Sequence, residues 1–224
     1  MNIKGIQTKI FEKNNSLFEF LKENLENLDL ENSVVAITSK IISIAENRTV
    51  KKNSIDKKEL IKKEADFFLE KESYREGHTI TIKNNILIPS AGIDESNSKD
   101  GDYILYPKDP MNSAFEIWSF LKNFFKVKNL GIIITDSHTT PLRSGVIGIG
   151  IAWCGFQAVY SYIGKPDIFS RELKCTKLNV LDALSVCAVF EMGEADEKIP
   201  IVQIKDFSKV LFSNSKPTEN EISE

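Results

Sequence analysis

The sequence predicts a mixed α/β fold of the α+β-like kind, with mixed sheets. Three observations carry that prediction. Apolar runs of strand type stand at residues 33–38 and 130–136, segments of helical period stand at 16–28 and 178–192, and no clean linker separates the two kinds of element. With 224 residues and 42% hydrophobic content, the chain can bury a full core without covalent staples, as one large domain or two interlocked lobes.

In order along the chain, Leu17, Phe18, Leu21, Leu25 and Leu28 repeat at helical spacing, and Asn15 or Ser16 can cap that helix. Residues 33–38 read as a buried strand. Ser39 and Lys40 follow at once, so a hydroxyl and an ammonium stand at its end. Residues 55–69 show apolar side chains at helical spacing with charges on the other faces, which predicts a solvated amphipathic helix. Residues 79–82 and 86–88 flank Asn84-Asn85 and predict a hairpin, since Asn tolerates a left-handed turn. In the loop 89–97, small residues let a ligand approach the backbone, and Asp94 and Asn97 supply polar groups three residues apart.

A helix over 112–125 is introduced by Pro107 and Pro110, and its Phe115, Trp118 and Phe120 are core or interface. The run 130–136 has the character of a strand buried on both faces that ends on the carboxylate of Asp136. Ser137 and Arg143 follow, and Pro141 and Gly145 punctuate a turn. Residues 146–152 are the next strand, 178–192 a long apolar helix with Gly193 as its C-cap, and 201–204 a last strand. The folded unit is expected over 1–212, with 213–224 a polar, disordered tail.

Charge and composition exclude several classes. Net charge is −3, and over 51–71 basic residues alternate with acids, so no basic stripe is offered to nucleic acid. The longest apolar stretch, 146–153, falls short of the roughly 20 residues that cross a bilayer, so no membrane partner is expected. Cys154, Cys175 and Cys187 are odd in number with no metal-type spacing, and the start Met1-Asn2-Ile3-Lys4 lacks an apolar signal core. A reducing, cytoplasmic setting is expected.

Three acids stand at loops beside apolar structure: Asp94, Asp136 and Glu194. Hard cations such as Mg2+ or Mn2+ take carboxylate, water and phosphate oxygens, and Ser39, Lys40 and Arg143 would complement the phosphates of a nucleotide. The competing reading of Asp136 is a strand-end Asx-turn. Cys154 with His138 and Asp136 spells a cysteine nucleophile, base and orienter, but a thiol inside an apolar strand pattern is normally buried and inert. His138 is either a loop histidine bonded to backbone or a substrate contact.

Six stretches, read in order, resemble the γ-glutamyl ligases that act on coenzyme F420-0, a deazaflavin: 38–43, 91–97, 107–110, 136–145, 164–167 and 192–200. The resemblance runs from about Gly5 to Asp206. It implies a single intertwined, two-lobed mixed α/β domain in a homodimer. The implied activity is GTP- or ATP-dependent amide synthesis that joins L-glutamate to a heterocyclic carboxylate acceptor through an acyl phosphate, with Mg2+ or Mn2+. Asp94, Asp136, Ser137 and Glu194 correspond to metal ligands. Gln7, Thr8, Ser39, Lys40, Asn97, Met192, Gly193, Ala195, Asp196 and Glu197 correspond to nucleotide contacts. Asp136 and Arg143 are the expected catalytic residues, Arg143 as a bidentate partner for an acceptor carboxylate.

The chain departs from the family pattern at three places. The second lysine of the first nucleotide loop is Ile44, and the usual Gly-hydrophobic-Pro loop near the amino terminus reads Gly5-Ile6-Gln7-Thr8-Lys9. Ser137-His138-Thr139-Thr140-Pro141-Leu142-Arg143 replaces the pattern of many deazaflavin-acting relatives and resembles a branch for which folate is the acceptor. The missing lysine also admits a nucleotide-binding protein that has lost catalysis.

Overall fold

In the computed structural model, residues 1–69, 79–218 and 221–222 are described. The opening elements are β1 (Asn2–Ile6), α1 (Leu17–Leu25), β2 (Ser33–Thr38), α2 (Ser39–Ala45), β3 (Thr49–Val50) and α3 (Lys57–Glu64). They are followed by β4 (Phe67–Phe68), β5 (Ile80–Lys83), β6 (Ile86–Pro89), β7 (Tyr103–Ile104) and α4 (Pro110–Phe125). The last third holds β8 (Leu130–Thr139), β9 (Val146–Cys154), β10 (Val159–Ser161), β11 (Lys177–Asn179), α5 (Val180–Met192) and β12 (Ile201–Lys205).

The main sheet has the order β1-β12-β2-β8-β9, and it is mixed: β2 and β8 run parallel while the other neighbours are antiparallel. Val34 to Ile37 of β2 and Ile132 to Ile134 of β8 have no exposed surface, as central strands covered on both faces require. Helix α5 covers one face. Gly148 and Gly150 of β9 lie beneath it, so close that a Cβ on Gly148 would stand 2.4 Å from the Ser185 carbonyl oxygen. Ile149, Ile151 and Trp153 line a small cavity together with Pro110 and Met111 at the start of α4, which packs against β9. Smaller sheets β4-β5-β6, β3-β7 and β10-β11 flank this core.

Side-chain caps account for the starts of α1, α3, α4 and α5, whereas Thr38 before α2 offers none. Ser16, Asp56, Asp109 and Asn179 each accept a backbone N–H of the first turn, and Pro110 takes the position where its missing donor costs nothing. The hairpin at Asn84-Asn85 is as expected, with φ of 50° and 60°. Two family-like stretches are structural: Asp109 caps α4, and Asp167 holds the turn of the β10–β11 arm by accepting from Phe169 N, Arg171 N and Arg171 Nε.

The structure corrects two expectations. The helix predicted over 55–69 ends at Glu64, because Ala65 takes extended angles and Phe67–Phe68 pairs with β5. Strand β8 does not stop at Asp136. It continues to Thr139 on the ladder offered by β9, with a register shift between Ile134 and Thr135. His138 is therefore a strand residue, and its Nδ1 bonds to no backbone group. Of the stretch expected as a tail, 213–218 and 221–222 are described. Ser213 N donates to Gly155 O, and Ile222 packs on the core; the remaining four positions, and Lys71 of the mixed-charge segment, lie outside the described residues.

Candidate functional site

The parallel register of β2 and β8 sets Thr38 opposite Thr135. The first turn of α2 therefore rises beside Asp136, and Lys40 sits in that turn. Asp94 is fixed by a backbone bridge to Ile104, with N to O distances of 2.9 Å both ways, and its Oδ1 accepts from Ser96 N and Oγ in an Asx-type turn. Lys40 Nζ lies 2.5 Å from Asp94 Oδ2. Glu194, just past α5, accepts from the Ser137 hydroxyl at 3.2 Å. Lys40 thus pairs directly with Asp94, and Asp136 and Glu194, distant in sequence, add their charge to the field at its ammonium.

The electrostatics follow from that crowding. Burial disfavours charge on Lys40, but Asp94, Asp136 and Glu194 together hold its pKa above the ordinary lysine value. Burial raises Asp94 too, and the Lys40 charge with the bonds from Lys40 and Ser96 outweighs it, so Asp94 stays below its usual value. Asp136 goes the other way. Burial and the neighbouring Asp94 lift it to about 6 against the pull of Lys40, the Tyr106 hydroxyl and its own contact with Ser137 N. Tyr106 is buried behind it, and its hydroxyl lies near Asp136 without closing a hydrogen bond of regular geometry. Its ring packs on Gly92, where φ is +69° and any Cβ would collide with it.

Lys40, Asp136 and Glu194 of this cluster line a cavity of about 530 Å3, whereas Asp94 stands behind Lys40 and is not part of its wall. Of the residues expected at a nucleotide, Thr8, Lys40, Asn97, Met192, Gly193, Ala195, Asp196 and Glu197 line it, with Asp136, Ser137 and Glu194 of the acidic set. Gln7 and Ser39 do not: Gln7 is exposed at the end of β1, and the Ser39 side chain is buried under its helix. Arg143 is not brought there either. It stands exposed in the turn after β8, because that strand carries the chain on past Asp136. Lys9 and Ile44 share the cavity wall, so a cation is present at the amino-terminal loop and absent at the α2 position.

Sequence reasoning missed Tyr106 and Lys99, the second a cavity-lining cation with no local pattern around it, and gave Lys198 no role of its own although it lies in the stretch 192–200. The 194–199 loop is shaped by Gly193, at φ 74°, against which the Glu197 carboxylate packs while accepting from Ala195 N at 2.9 Å. Cys154 is fully buried and pushed up to about 12 by that burial, which removes it as a nucleophile. Among the described residues no three His, Cys, Asp or Glu side chains come close enough to hold a metal ion unaided. The oxygen donors present are Asp94, paired with Lys40, the buried Asp136, and Glu194 with the Ser137 hydroxyl bonded to it. No helix among the described residues is long and apolar enough to cross a membrane.

Comparison with known proteins adds to this geometry. A family model described as F420-0:Gamma-glutamyl ligase matches residues 5–206. The Coenzyme F420:L-glutamate ligase of Methanocaldococcus jannaschii is 40% identical over 134 residues, 60% of this chain and 53% of that protein. The protein of the same description from Methanothermobacter thermautotrophicus is 33% identical over 139 residues, 61% of this chain and 55% of its own. That of Methanococcus maripaludis strain C6 is 32% identical over 191 residues, 79% of this chain and 76% of its own. The chain spans about half the length of the first two of these curated relatives.

Proposed function

The chain belongs to the F420-0:gamma-glutamyl ligase family, and from that premise we propose that it joins L-glutamate to the carboxylate of a flat heterocyclic acceptor, using GTP or ATP and a divalent cation. The observation that carries this reading is a cavity large enough for a nucleotide whose wall brings Lys40, held by Asp94, together with Asp136, Glu194 and three further lysines.

The reaction needs activation of a carboxylate. In the proposed sequence an acceptor carboxylate oxygen attacks the γ-phosphorus, the bond to the β-phosphate oxygen breaks, and a nucleoside diphosphate departs. The glutamate amine then attacks the acyl carbon of the mixed anhydride, phosphate leaves, and the nitrogen gives up a proton as the amide forms. Lys9, Lys40, Lys99 and Lys198 in the cavity wall meet the negative charge of the phosphates. Holding acceptor and amine together removes the entropy cost of their encounter. No protein nucleophile is required.

The acidic set fits a hard cation. The charges of Asp94, Asp136 and Glu194 outnumber that of Lys40, an excess a divalent ion would offset, and Asp94, Asp136, Glu194 and Ser137 are oxygen donors of the kind Mg2+ or Mn2+ prefers. When bound, the ion screens the phosphoryl oxygens as charge builds on them.

Two features favour alternative readings. The run Ser137-His138-Thr139-Thr140-Pro141 favours a folate acceptor over the deazaflavin, and Ile44 in the cavity wall favours a nucleotide-binding protein without turnover. A homodimer is also proposed, supported by Ile168 and Phe169, which are 91% and 71% exposed near the tip of the β10–β11 arm.

The test incubates the protein with glutamate, Mg2+ or Mn2+, GTP or ATP, and either coenzyme F420-0 or tetrahydrofolate, and follows the acceptor by mass. A gain of one glutamyl unit supports the ligase and names its acceptor. Nucleotide binding with no gain on either acceptor supports the inactive reading.

A further inference from the structure

Tyr106 carries one of four buried side-chain polar atoms that close no regular hydrogen bond among the described residues. The residue is 2% exposed, so bulk water does not reach its hydroxyl. A phenyl ring would fill the same space without a polar group to satisfy, and a buried hydroxyl kept under that penalty calls for a reason. The charged group it feels is Asp136, which acts on it through its charge and through a hydrogen-bonding contact.

The segment 103–106 that brings the hydroxyl there is tied down on every side. Its side chains alternate: Tyr103 and Leu105 belong to a small apolar cluster with Leu60, Ile61 and Ile93, whereas Tyr106 belongs to the main core. Ile104 of the same segment makes the backbone bridge that fixes Asp94. The Tyr106 ring closes over Gly92, two residues before Asp94. Arg48 secures the main chain. Its Nε donates to Tyr106 O at 3.0 Å, its Nη2 donates to Glu64 Oε2 at 2.6 Å, and its carbonyl accepts from Leu105 N at 3.0 Å. Four consecutive residues thus reach both carboxylates, Asp94 by main chain and Asp136 by a phenol.

We propose that Tyr106 is a positioning residue for the divalent-cation site: its hydroxyl donates to Asp136 and fixes how that carboxylate turns toward the cavity, and the Arg48–Glu64 pair holds the tyrosine in place for it. The role rests on the reading of Asp136 as a metal ligand. A carboxylate free to rotate offers its oxygens to an ion only part of the time, and a donor behind it removes that freedom before the ion arrives. Tyr106 is not among the residues that line the nucleotide cavity, so its influence there passes through Asp136.

The experiment titrates Mn2+ into the full chain without nucleotide, following the free ion by electron paramagnetic resonance, and records GTP affinity in the presence of a chelator separately. Tyr106→Phe keeps the ring over Gly92 and removes only the hydroxyl. It is expected to weaken Mn2+ binding at least about tenfold and to leave GTP affinity within about twofold. Tyr103→Phe, which alters the neighbouring phenol of the small cluster, is expected to bind Mn2+ like the parent. Arg48→Met is expected to weaken Mn2+ binding too, and to add little once Tyr106→Phe is present, because both changes act through one contact. A spectroscopic signature separates positioning from mere packing: Mn2+ is expected to perturb the tyrosine ultraviolet difference spectrum of the parent and not that of Tyr106→Phe. The role is overturned if Tyr106→Phe binds Mn2+ like the parent, if Tyr103→Phe weakens binding as much, or if the spectral change survives in Tyr106→Phe. If the parent binds no Mn2+, the metal reading falls and this role falls with it. If the expected Mn2+ results appear but no glutamyl unit is transferred, the positioning role stands and the ligase reading does not.

Discussion

Asp136 keeps its proton to a higher pH than an ordinary carboxyl group, because burial and the nearby Asp94 outweigh Lys40, the Tyr106 hydroxyl and Ser137 N–H. Its pKa is about 6 in the folded chain, and in the unfolded chain it returns to the usual value near 4. Between those values the folded state holds a proton that the unfolded state has released, so stability contributed at this position falls as pH rises through about 4 to 6. In metal-free protein, Asp136→Asn is expected to flatten that fall and to melt higher than the parent at about pH 7, while Mg2+ or Mn2+ affinity drops at least about tenfold. Melting curves across that pH range, with a metal titration, check both; an unchanged pH slope with unchanged metal affinity contradicts the role. Gly193→Ala gives a second prediction. At φ 74°, with a Cβ placed 2.2 Å from Glu197 Cδ, alanine is expected to displace Glu197 from Ala195 N and reduce GTP affinity severalfold with a smaller effect on melting. At this scale the three acids were legible because each follows or precedes an apolar run. Tyr106 was not, since its value comes from a hydroxyl meeting Asp136 across the fold, and Arg143 was misplaced because the strand before it is longer than its apolar part.

The contact of α5 with β9 depends on two missing side chains. Gly148 is under the Ser185 carbonyl, a backbone atom that cannot rotate away, whereas a Cβ on Gly150 would meet the Leu181 side chain at 2.5 Å. Gly148→Ala is therefore expected to destabilise by about 1–3 kcal/mol, and Gly150→Ala by less where Leu181 can turn. Denaturant unfolding of both variants measures the difference, and equal, negligible costs would show that helix and strand are not locked by these glycines. The same element explains what pattern reading can and cannot do. Residues 146–152 announced a strand and 178–192 a helix, but nothing local says which alternate face of β9 meets α5 and which meets α4. The two-residue strands β3, β4 and β7 have no period to read, and β4 was absorbed into a helix because Phe67 and Phe68 continue the apolar spacing of α3. Strand β1 was missed for a different reason: its ladder partner among the described residues, β12, lies nearly two hundred residues away.

That long-range pairing makes the molecule's two ends structurally dependent on each other. β12 lies between β1 and β2, and the cavity wall draws on Thr8 near one end and Pro200 near the other, with Asp136 between them in sequence. A ligand that grips this wall therefore stabilises contacts made by most of the chain rather than one segment. Unfolding is expected to be a single transition followed alike by far-UV signal and by the fluorescence of Trp118 and Trp153. GTP with Mg2+, supplied at about a hundred times its Kd, is expected to move the whole transition, since binding to the folded state alone adds about 2.7 kcal/mol. For a chain of this length that corresponds to a rise of roughly 5–10 °C in the midpoint. Asp136→Asn, with its cation-binding group impaired, is expected to shift less under the same conditions. Two separate transitions, only one of them responsive to nucleotide, would contradict the coupling of sheet and cavity, and an equal shift in parent and variant would remove Asp136 from the nucleotide–metal site.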